Sequence, residues 1–491
     1  MVAFSIYYTT FALIKLKTPK TYYFMYAALV VVFIIGYLLI ALEHPIKIDK
    51  SATALLLGMV MWVLFILGAD ALPFVVEKAA EHGHAGHLSD FVNAEILHHM
   101  GDIATTLFFL IGAMTIVELV DVHGGFSIIT DRITSRDKKK LLWILSFVTF
   151  FMSAILDNLT TSIVMVLLLR KLVSDPKERW LYASMIIIAA NAGGAWSPIG
   201  DITTIMLWVK GNVSTASVIA YIILPSLVAM ILPLFLVSSK LKGQLERMEE
   251  KTDIQENFVT KKERNMLFYL GVGGLIFVPI FKTITHLPPF IGMLFSLSIL
   301  WIVTEMMYNN KAWDPQRQHR LPRILQRIDT PTILFFLGIL MAVAVLQSTG
   351  ILGDMANLLA EKVGDVNIIN IVLGFLSSIV DNVPLVAAAQ GMYEIIPVEQ
   401  AQTLAPGHWD LNFIQDGAFW LLLTYCAGVG GSMLIIGSAA GVVVMGLEKI
   451  NFGWYLKNIS LIAALGYLAG VAVLIGELML LPPTKVLYGI G

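Results

Sequence analysis

The chain has 491 residues, of which 57% are hydrophobic and only 14% are charged. Soluble proteins contain about a quarter charged residues, so this composition excludes an ordinary soluble domain and indicates a membrane protein. The formal net charge is −2 and no basic nucleic-acid-binding face is visible, while the single cysteine excludes a disulfide framework.

Apolar stretches follow one another along the chain. A helix that crosses the hydrocarbon core needs about 20 apolar residues. The stretches that predict such helices are Tyr23–Leu42, Ala52–Leu72, Ile103–Val120, Ser217–Val237, Met266–Phe281, Phe290–Trp301, Pro331–Val345 and Tyr455–Leu478. No soluble domain of useful size fits between them.

A His-rich segment, residues 82–99, lies between the second and third stretches. We predict a solvated external loop there. A metal site and a pH sensor are the alternatives, because histidine binds metals and titrates near neutrality. The spacing of the histidines matches no closed zinc site.

Two further apolar stretches are interrupted by polar or flexible residues. Leu141–Leu172 is broken by Asp157-Asn158, and Ala183–Val209 is broken by the run from Gly193 to Asp201. Irregular backbone at membrane depth is tolerated only where it lines a cavity or is buried in protein. The interruptions are therefore where we expect the functional site.

Both interruptions recur in the second half of the chain. Ser153–Leu159 matches Ser377–Val383 without a gap, and Ala192–Asp201 matches Val429–Ser438. Each half thus contains an Asp-Asn pair followed by a Gly-Gly-x5-Gly motif. Two matches in the same order indicate an internal repeat.

The distribution of basic residues predicts how the halves are oriented, because Lys and Arg concentrate in cytoplasmic loops. They flank the first Asp-Asn pair on both sides, at Arg136–Lys140 and Arg170–Arg179, so this segment is predicted to be a hairpin that enters and leaves at the cytoplasmic face. The flanks of the second pair contain few basic residues, so that hairpin is predicted to enter from outside. The fold class is therefore an all-α polytopic membrane protein with two inverted repeats, each with a re-entrant hairpin and a broken transmembrane helix.

The predicted repeats divide the chain into four parts. The first transmembrane repeat covers residues 23–239, the cytoplasmic linker covers 240–265, and the second repeat with its peripheral helices covers 266–491. Residues 1–22 are predicted to be an N-terminal extension, because Lys15, Lys17 and Lys20 would otherwise lie on the external face. On this prediction Met25 opens the real chain, and the alternative is that residues 1–22 belong to the mature protein.

The four interruptions contain carboxylates, amides and hydroxyls but no Lys or Arg. Carboxylates at membrane depth without a basic partner would repel a dicarboxylate, and they suit Na⁺, Li⁺ or a proton. The predicted ion- or proton-binding residues are Asp157, Asn158, Thr160, Thr161, Asn191, Ser197, Asp201, Thr203, Thr204, Asp381, Asn382, Ser432 and Ser438. Among them, Asp157 and Asp201 are predicted to hold a transported Na⁺.

Two points about these residues stay open at the level of the sequence. Each carboxylate could instead cap a half-helix. The second half is less acidic, because Ser438 stands where the first half has Asp201, so we expect the first repeat to hold the ion and the second to complete the cavity. The residues predicted to break or unwind the helices are Gly193, Gly194, Pro198, Gly200, Pro384, Gly430, Gly431 and Gly437. The pairs Gly193-Gly194 and Gly430-Gly431 are also expected to let the backbone approach its neighbours closely.

Four motifs carry a family resemblance, namely Asp157–Thr161, Asn191–Gly194, Ser197–Thr204 and Asp381–Pro384. Together they resemble the NhaD-type sodium/proton antiporters of the ion transporter superfamily, over nearly all of the chain from about Met25. The resemblance implies exchange of Na⁺ or Li⁺ for H⁺ across a bacterial inner membrane, in salt and alkali tolerance. It implies a transporter and not an enzyme, with no cofactor, no nucleic-acid partner and a plausible homodimer in the lipid bilayer.

Other members of that superfamily remain as alternatives, namely Na⁺-coupled carboxylate carriers and arsenite effluxers. The carboxylate carriers have a neutral Ser-Asn-Thr at their hairpin tips, whereas Asp157 and Asp381 stand beside the asparagine here. A more remote alternative is an intramembrane aspartyl protease. It would need Gly-x-Gly-Asp, but Pro198 occupies the position of the first glycine.

Overall fold

The computed structural model describes residues 19–483, apart from positions 42, 85, 134, 246–258, 310–319, 380 and 406. This part of the chain is almost entirely helical and contains no β-strand beyond two isolated bridges. Nine of its helices are long and apolar enough to cross a membrane. They include all eight predicted stretches, so the prediction of an all-α polytopic membrane protein is confirmed.

The longer helices are, in chain order, α1 Pro19–Ala41, α2 Lys50–Gly68, α3 Pro73–Glu81, α4 Leu88–Val122, α5 Lys138–Leu156, α6 Asn158–Leu172, α7 Pro176–Ala195, α8 Ile202–Val209, α9 Thr215–Ser238, α10 Lys261–Thr285, α11 Pro289–Asn309, α12 Thr330–Ser348, α13 Ile351–Lys362, α14 Val366–Ser377, α15 Asn382–Met392, α16 Ala418–Gly430, α17 Ala439–Glu448 and α18 Leu461–Leu480. Single helical turns and short 3-10 segments connect several of them, and a π-helical segment, Leu456–Ser460, precedes α18.

Short polar residues fix where many of these helices begin. An N-cap side chain accepts a hydrogen bond from one of the first backbone N–H groups, which have no partner inside the helix. Asp137 caps α5 through Lys140 N at 2.7 Å, and Asp175 caps α7 through Lys177 N at 3.0 Å. Thr260 and Glu263 form a capping box at the start of α10.

The chain folds into two compact units. The first comprises Met1–Ala104, Thr330–Lys362 and Ala387–Tyr393. Within it, α2 packs closely on α12, and the Trp62 indole donates to the carbonyl of Met341 at 3.0 Å.

The second unit comprises Thr105–Asp329, Val363–Val386 and Glu394–Gly491. It contains all four interruptions and so all the residues that we predict to bind the ion. Two compact units need not coincide with two sequence repeats, and the division into repeats at 240–265 stays a prediction.

Some predictions fall on residues that the structure does not describe. Residues 1–18 and most of the linker, 246–258, lie outside them, while residues 19–22 of the predicted N-terminal extension belong to α1. The predicted loop at 82–99 is wrong in its second half, because α4 begins at Leu88. His99 lies within that helix, and its Nε2 is 2.9 Å from the Ser348 hydroxyl. The described residues contain no group of three or more His, Cys, Asp or Glu able to hold a metal ion.

Candidate functional site

The first Asp-Asn pair forms the turn of a helical hairpin. Helix α5 ends at Leu156 and α6 begins at Asn158, with Asp157 between them at φ 80° and ψ 161°. This backbone region is essentially restricted to glycine, and its use by another residue costs about 1–3 kcal/mol. The predicted break of Leu141–Leu172 at this pair is therefore found, and the aspartate is strained there.

The Asp157 carboxylate caps α6. Its Oδ1 accepts from the Thr160 backbone N–H at 2.8 Å, and its Oδ2 accepts from the Thr160 hydroxyl at 2.9 Å. The side chain is half-buried. The capping role that the sequence left open is thus present, and a carboxylate oxygen has further lone pairs for a second ligand.

The first broken helix ends at Ala195 and resumes at Ile202, with Asp201 as the N-cap of α8. The Oδ1 atom of Asp201 accepts from the backbone N–H and the hydroxyl of Thr203, at 2.9 and 2.7 Å. Its Oδ2 accepts from the Asn158 amide at 2.7 Å. Only 1% of Asp201 is exposed, so one oxygen caps the half-helix and the other faces the hairpin.

Asn191 joins the two halves of the chain at the centre of the site. The residue is fully buried in α7, and its Oδ1 accepts from the Asn158 amide at 3.0 Å. Its own amide donates to the hydroxyls of Ser432 and Ser438, at 3.0 and 2.9 Å. We call Asn158, Asn191, Asp201, Ser432 and Ser438 the polar cluster.

Two hydroxyls on α6 lie beside these predicted residues without a hydrogen-bond partner in the described chain. Thr161 and Ser162 are both fully buried. An unsatisfied buried hydroxyl costs about 1–3 kcal/mol, so such a group calls for a ligand or an ordered water. Thr161 is among the residues predicted from the sequence, whereas Ser162 is not, although it follows Asn158 by one helical turn.

The remaining predicted residues of the first half lie around the breaks. Thr160 and Thr203 serve the two caps described above. The Ser197 hydroxyl accepts from Ile199 N at 3.4 Å, and the Thr204 hydroxyl donates to the carbonyl of Ala195 at 3.4 Å. These bonds hold the non-helical segment between α7 and α8.

The second Asp-Asn pair lies at the turn between α14 and α15. Asp381 is half-buried and its Oδ1 accepts from Val383 N at 3.4 Å, while Asn382 is buried at the start of α15. Val380 lies outside the described residues. Asp157, Asp201 and Asp381 all belong to the second compact unit.

The glycines of the motifs allow the close approach of backbones that we expected of the Gly pairs. A Cβ atom on Gly193 would collide with the carbonyl of Phe150, and one on Gly430 with the carbonyl of Gly374. The pairs Gly194 with Gly200 and Gly431 with Gly437 touch in the same way. None of these glycines has a positive φ, and Gly193, Gly194 and Gly430 are helical. The predicted break is therefore wrong for these three glycines, whereas Gly200, Gly431 and Gly437 lie in non-helical segments as predicted.

The two prolines have different positions. Pro198 lies between α7 and α8, in the non-helical segment as predicted. Pro384 lies in the first turn of α15, where its missing N–H would have no helical partner, so it does not break that helix.

The two halves share local structure as well as sequence. The Ser153 hydroxyl donates to the carbonyl of Ala190 at 2.6 Å, and the matching Ser377 hydroxyl donates to the carbonyl of Ala427 at 2.9 Å. Ser438 caps α17 as Asp201 caps α8. The repeat is thus visible in the hydrogen bonds, while the opposite orientation of its two copies stays a prediction.

One supporting residue has no signal in the sequence. The hydroxyl of Tyr455, which is fully buried, donates to the carbonyl of Ser432 at 2.8 Å. Tyr455 directly precedes the π-helical segment, and such segments are frequent at functional sites. Its contact is long-range, so no spacing rule could have predicted it.

Comparison with known proteins identifies the family of the chain. A family model described as "Citrate transporter" (CitMHS) matches residues 37–411. The chain is 42% identical to "Sodium/proton antiporter 2" of Arabidopsis thaliana, over 89% of this chain and 96% of the relative. It is 42% identical to "Sodium/proton antiporter 1" of the same plant, over 91% and 71%.

A bacterial relative matches a similar share of this chain. The chain is 30% identical to "Na(+)/H(+) antiporter NhaD" of Alkalimonas amylolytica, over 90% of this chain and 89% of the relative. The chain is thus a multi-pass membrane protein that belongs to the CitMHS transporter family and, within it, to the NhaD-type sodium/proton antiporters.

Proposed function

We propose that this chain exchanges Na⁺ or Li⁺ for H⁺ across a membrane. The observation that carries the proposal is the polar cluster, in which the fully buried Asn191 and the nearly fully buried Asp201 meet hydroxyls and amides from both halves of the chain. Hard cations prefer oxygen ligands, and these side chains supply them. No Lys or Arg occurs within the four interruptions to bind a carboxylate substrate.

Exchange follows from competition for the same carboxylates. The deprotonated Asp157 and Asp201 would bind Na⁺ together with neighbouring oxygens, and the same carboxylates would take up protons when the ion leaves. Because the site holds either ligand but not both, alternating access of the site to the two faces couples the two flows. The two carboxylates would titrate as a pair.

Transport by the purified protein in proteoliposomes tests this function. Lumenal pH is recorded after the addition of Na⁺, Li⁺, K⁺, citrate, succinate or arsenite in turn. We expect Na⁺ or Li⁺ to move protons and the carboxylates to move none. Uptake of citrate or succinate without proton movement would place the chain with the carriers that the family model describes.

Variants in the same assay separate the roles of the carboxylates. Asp201→Asn should abolish exchange, since the amide keeps the shape and the cap but takes up no proton. Asp381→Asn should retain exchange with a changed apparent Na⁺ affinity, because its half has Ser438 in place of a second acid. Equal loss in both variants would show that the two halves hold the ion equally.

The setting of the protein is also part of the proposal. We propose that it works as a homodimer in the lipid bilayer, without a cofactor and without enzymatic activity, and that it supports salt and alkali tolerance. A bacterial inner membrane would supply the proton gradient. The Arabidopsis relatives place the same family in a plant as well.

A further inference from the structure

An ion-pair cluster around a buried carboxylate lies at the end of α17. Glu448 is the last residue of this helix, and its side chain is fully buried. Its Oε1 accepts from Arg170 Nε at 2.6 Å, and its Oε2 accepts from Arg179 Nε at 2.8 Å. Arg170 lies in the last turn of α6 and Arg179 in the first turn of α7. We call these three residues the arginine clamp.

The arginine clamp also satisfies the backbone where three segments meet. The Arg170 guanidinium donates to the carbonyl of Leu447, and the Trp180 indole donates to the carbonyl of Glu448 at 3.0 Å. Arg179 donates to the carbonyl of Val173 at 3.0 Å. Carbonyls at a helix C-terminus have no partner inside the helix and carry a partial negative charge, so cations stabilise them. The clamp therefore fixes the end of α17 to the connection between α6 and α7.

The same two helices begin at the candidate ion site. Helix α6 starts after Asp157, and α17 starts after Ser438, whose hydroxyl accepts from Asn191. These helices have 15 and 10 residues, which corresponds to about 22 and 15 Å. Because helices are stiff over such lengths, a contact at their far ends sets the relative position of their near ends.

The corresponding place in the other half is built differently. When the Gly-Gly-x5-Gly motifs of the two halves are aligned, Asp416 corresponds to Arg179. It lies just before α16. Its Oδ1 accepts from Ser214 N at 2.6 Å, and its backbone N–H donates to the carbonyl of Asn212 at 2.9 Å. The connection between α8 and α9 is thus joined to the segment just before α16 by hydrogen bonds, whereas the end of α17 is held by ion pairs.

Stability alone does not account for the arginine clamp. The Glu448 carboxylate is fully buried, while the side chains of Arg170 and Arg179 keep 38% and 16% of their exposure. Burying a charged carboxylate carries a desolvation cost, and well-packed apolar residues often replace buried ion pairs without loss of stability. What ion pairs supply is a defined geometry, since the planar guanidinium fixes direction as well as distance.

We propose that Glu448, Arg170 and Arg179 are positioning residues for ion binding, which hold α6 and α17 so that Asp157 and the serines of the polar cluster reach the same cation. The inference rests on the proposed function. It adds that residues far from the ion set the affinity of the site for Na⁺. Loss of the arginine clamp should then weaken Na⁺ binding and leave the maximal exchange rate of a saturated site nearly unchanged.

The test measures the Na⁺ dependence of exchange in proteoliposomes, normalised to folded, inserted protein. We expect Glu448→Gln to raise the apparent KM for Na⁺ about tenfold, as the loss of one charge-assisted contact of about 1.4 kcal/mol would, with kcat within about twofold of wild type. Arg170→Gln should act similarly. The Glu448→Gln/Arg170→Gln double variant should raise the KM by less than the product of the two single effects, because the two substitutions share the Arg170–Glu448 contact.

Glu178, the neighbour of Arg179 on α7, offers a matched control. Glu178 forms an ion pair with Lys138 at 2.9 Å, which joins α7 to α5 and not to α17. Glu178→Gln should leave the KM unchanged. If Glu448→Gln does not fold, Arg170→Lys keeps a charge but loses the planar fork, and it should raise the KM about threefold, a lesser effect.

Two outcomes would overturn the proposal. An unchanged KM in the folded clamp variants would reduce the arginine clamp to a structural role, as would an equal rise in KM in Glu178→Gln. If the wild type carries a different solute in this assay, the proposed function fails by itself, and the clamp is then judged by the KM for that solute.

Discussion

The backbone of Asp157 offers a way to separate stability from ion binding at a single residue. Its φ of 80° with ψ 161° is strained for any side chain but available to glycine. Replacement of an N-cap aspartate by glycine costs only a few tenths of a kcal/mol, which is less than the strain of about 1–3 kcal/mol that is released. We therefore expect Asp157→Gly to raise the thermal unfolding midpoint in detergent while it abolishes Na⁺/H⁺ exchange.

Asp157→Asn is the control for this prediction. The asparagine keeps the cap acceptor and the strain, so its unfolding midpoint should stay near that of wild type while exchange is lost as well. Should the glycine variant unfold at a lower temperature than the asparagine variant, the strain at this turn would be refuted. Normal exchange by either variant would remove Asp157 from the ion path.

Site residues could be predicted from the sequence where a residue type is unusual inside a membrane. Asp157 and Asp201 stand out because a carboxylate in an apolar stretch is costly, and both lie at the predicted breaks. Ser162 was not predicted, since a serine inside an apolar helix is unremarkable until its hydroxyl is seen to be buried and unsatisfied. Glu448 was not predicted either, because its arginine partners are distant in sequence.

At the scale of elements, Gly430 tests how closely α16 must approach α14. A Cβ atom there would collide with the backbone carbonyl of Gly374, which has no side-chain freedom to move aside. Forced overpacking costs about 1–3 kcal/mol, so we expect Gly430→Ala to lower the unfolding midpoint and reduce exchange. Size-exclusion chromatography after a temperature series measures the first effect, and proteoliposome transport measures the second.

Gly476→Ala in α18 is the matched control, because a Cβ atom there meets no atom within 4 Å. Alanine favours a helix over glycine by about 1 kcal/mol, so this variant should be as stable as wild type or more so. A Gly430→Ala protein that behaves like the Gly476→Ala protein would show that the close approach is not required.

The elements themselves illustrate what sequence patterns do and do not convey. The breaks at Asp157 and after Ala195 follow from local composition, and both occur in the structure. For the Gly pairs we expected both irregular backbone and close approach, and composition alone does not say which applies to a given glycine, because glycine permits both. The structure supplies the answer, because the carbonyl of Phe150 faces Gly193 and the carbonyl of Gly374 faces Gly430. These contacts identify close packing as the role of both glycines.

At the scale of the whole molecule, the two halves share a hydrogen bond at matching serines, Ser153 to Ala190 and Ser377 to Ala427. A repeat that closes a site between its copies explains why Asn191 contacts serines of the other half. The inverted orientation rests on loop charge alone. It is therefore the feature of the architecture that most needs a direct measurement.

Cysteine labelling in oriented membrane vesicles makes that measurement. Single cysteines at Lys139, Lys177 and Gln402 are all at exposed positions, and the buried Cys426 is first replaced by alanine. Because Lys139 and Lys177 flank the first hairpin among other basic residues, a membrane-impermeant maleimide should label both only from the cytoplasmic face. Gln402 follows the second hairpin in a segment without Lys or Arg, so it should be labelled only from outside.

Labelling of Lys139 and Lys177 from opposite faces would show that α5 and α6 do not form a re-entrant hairpin. Labelling of all three positions from one face would show that the two hairpins enter from the same side, and the repeats would then be parallel.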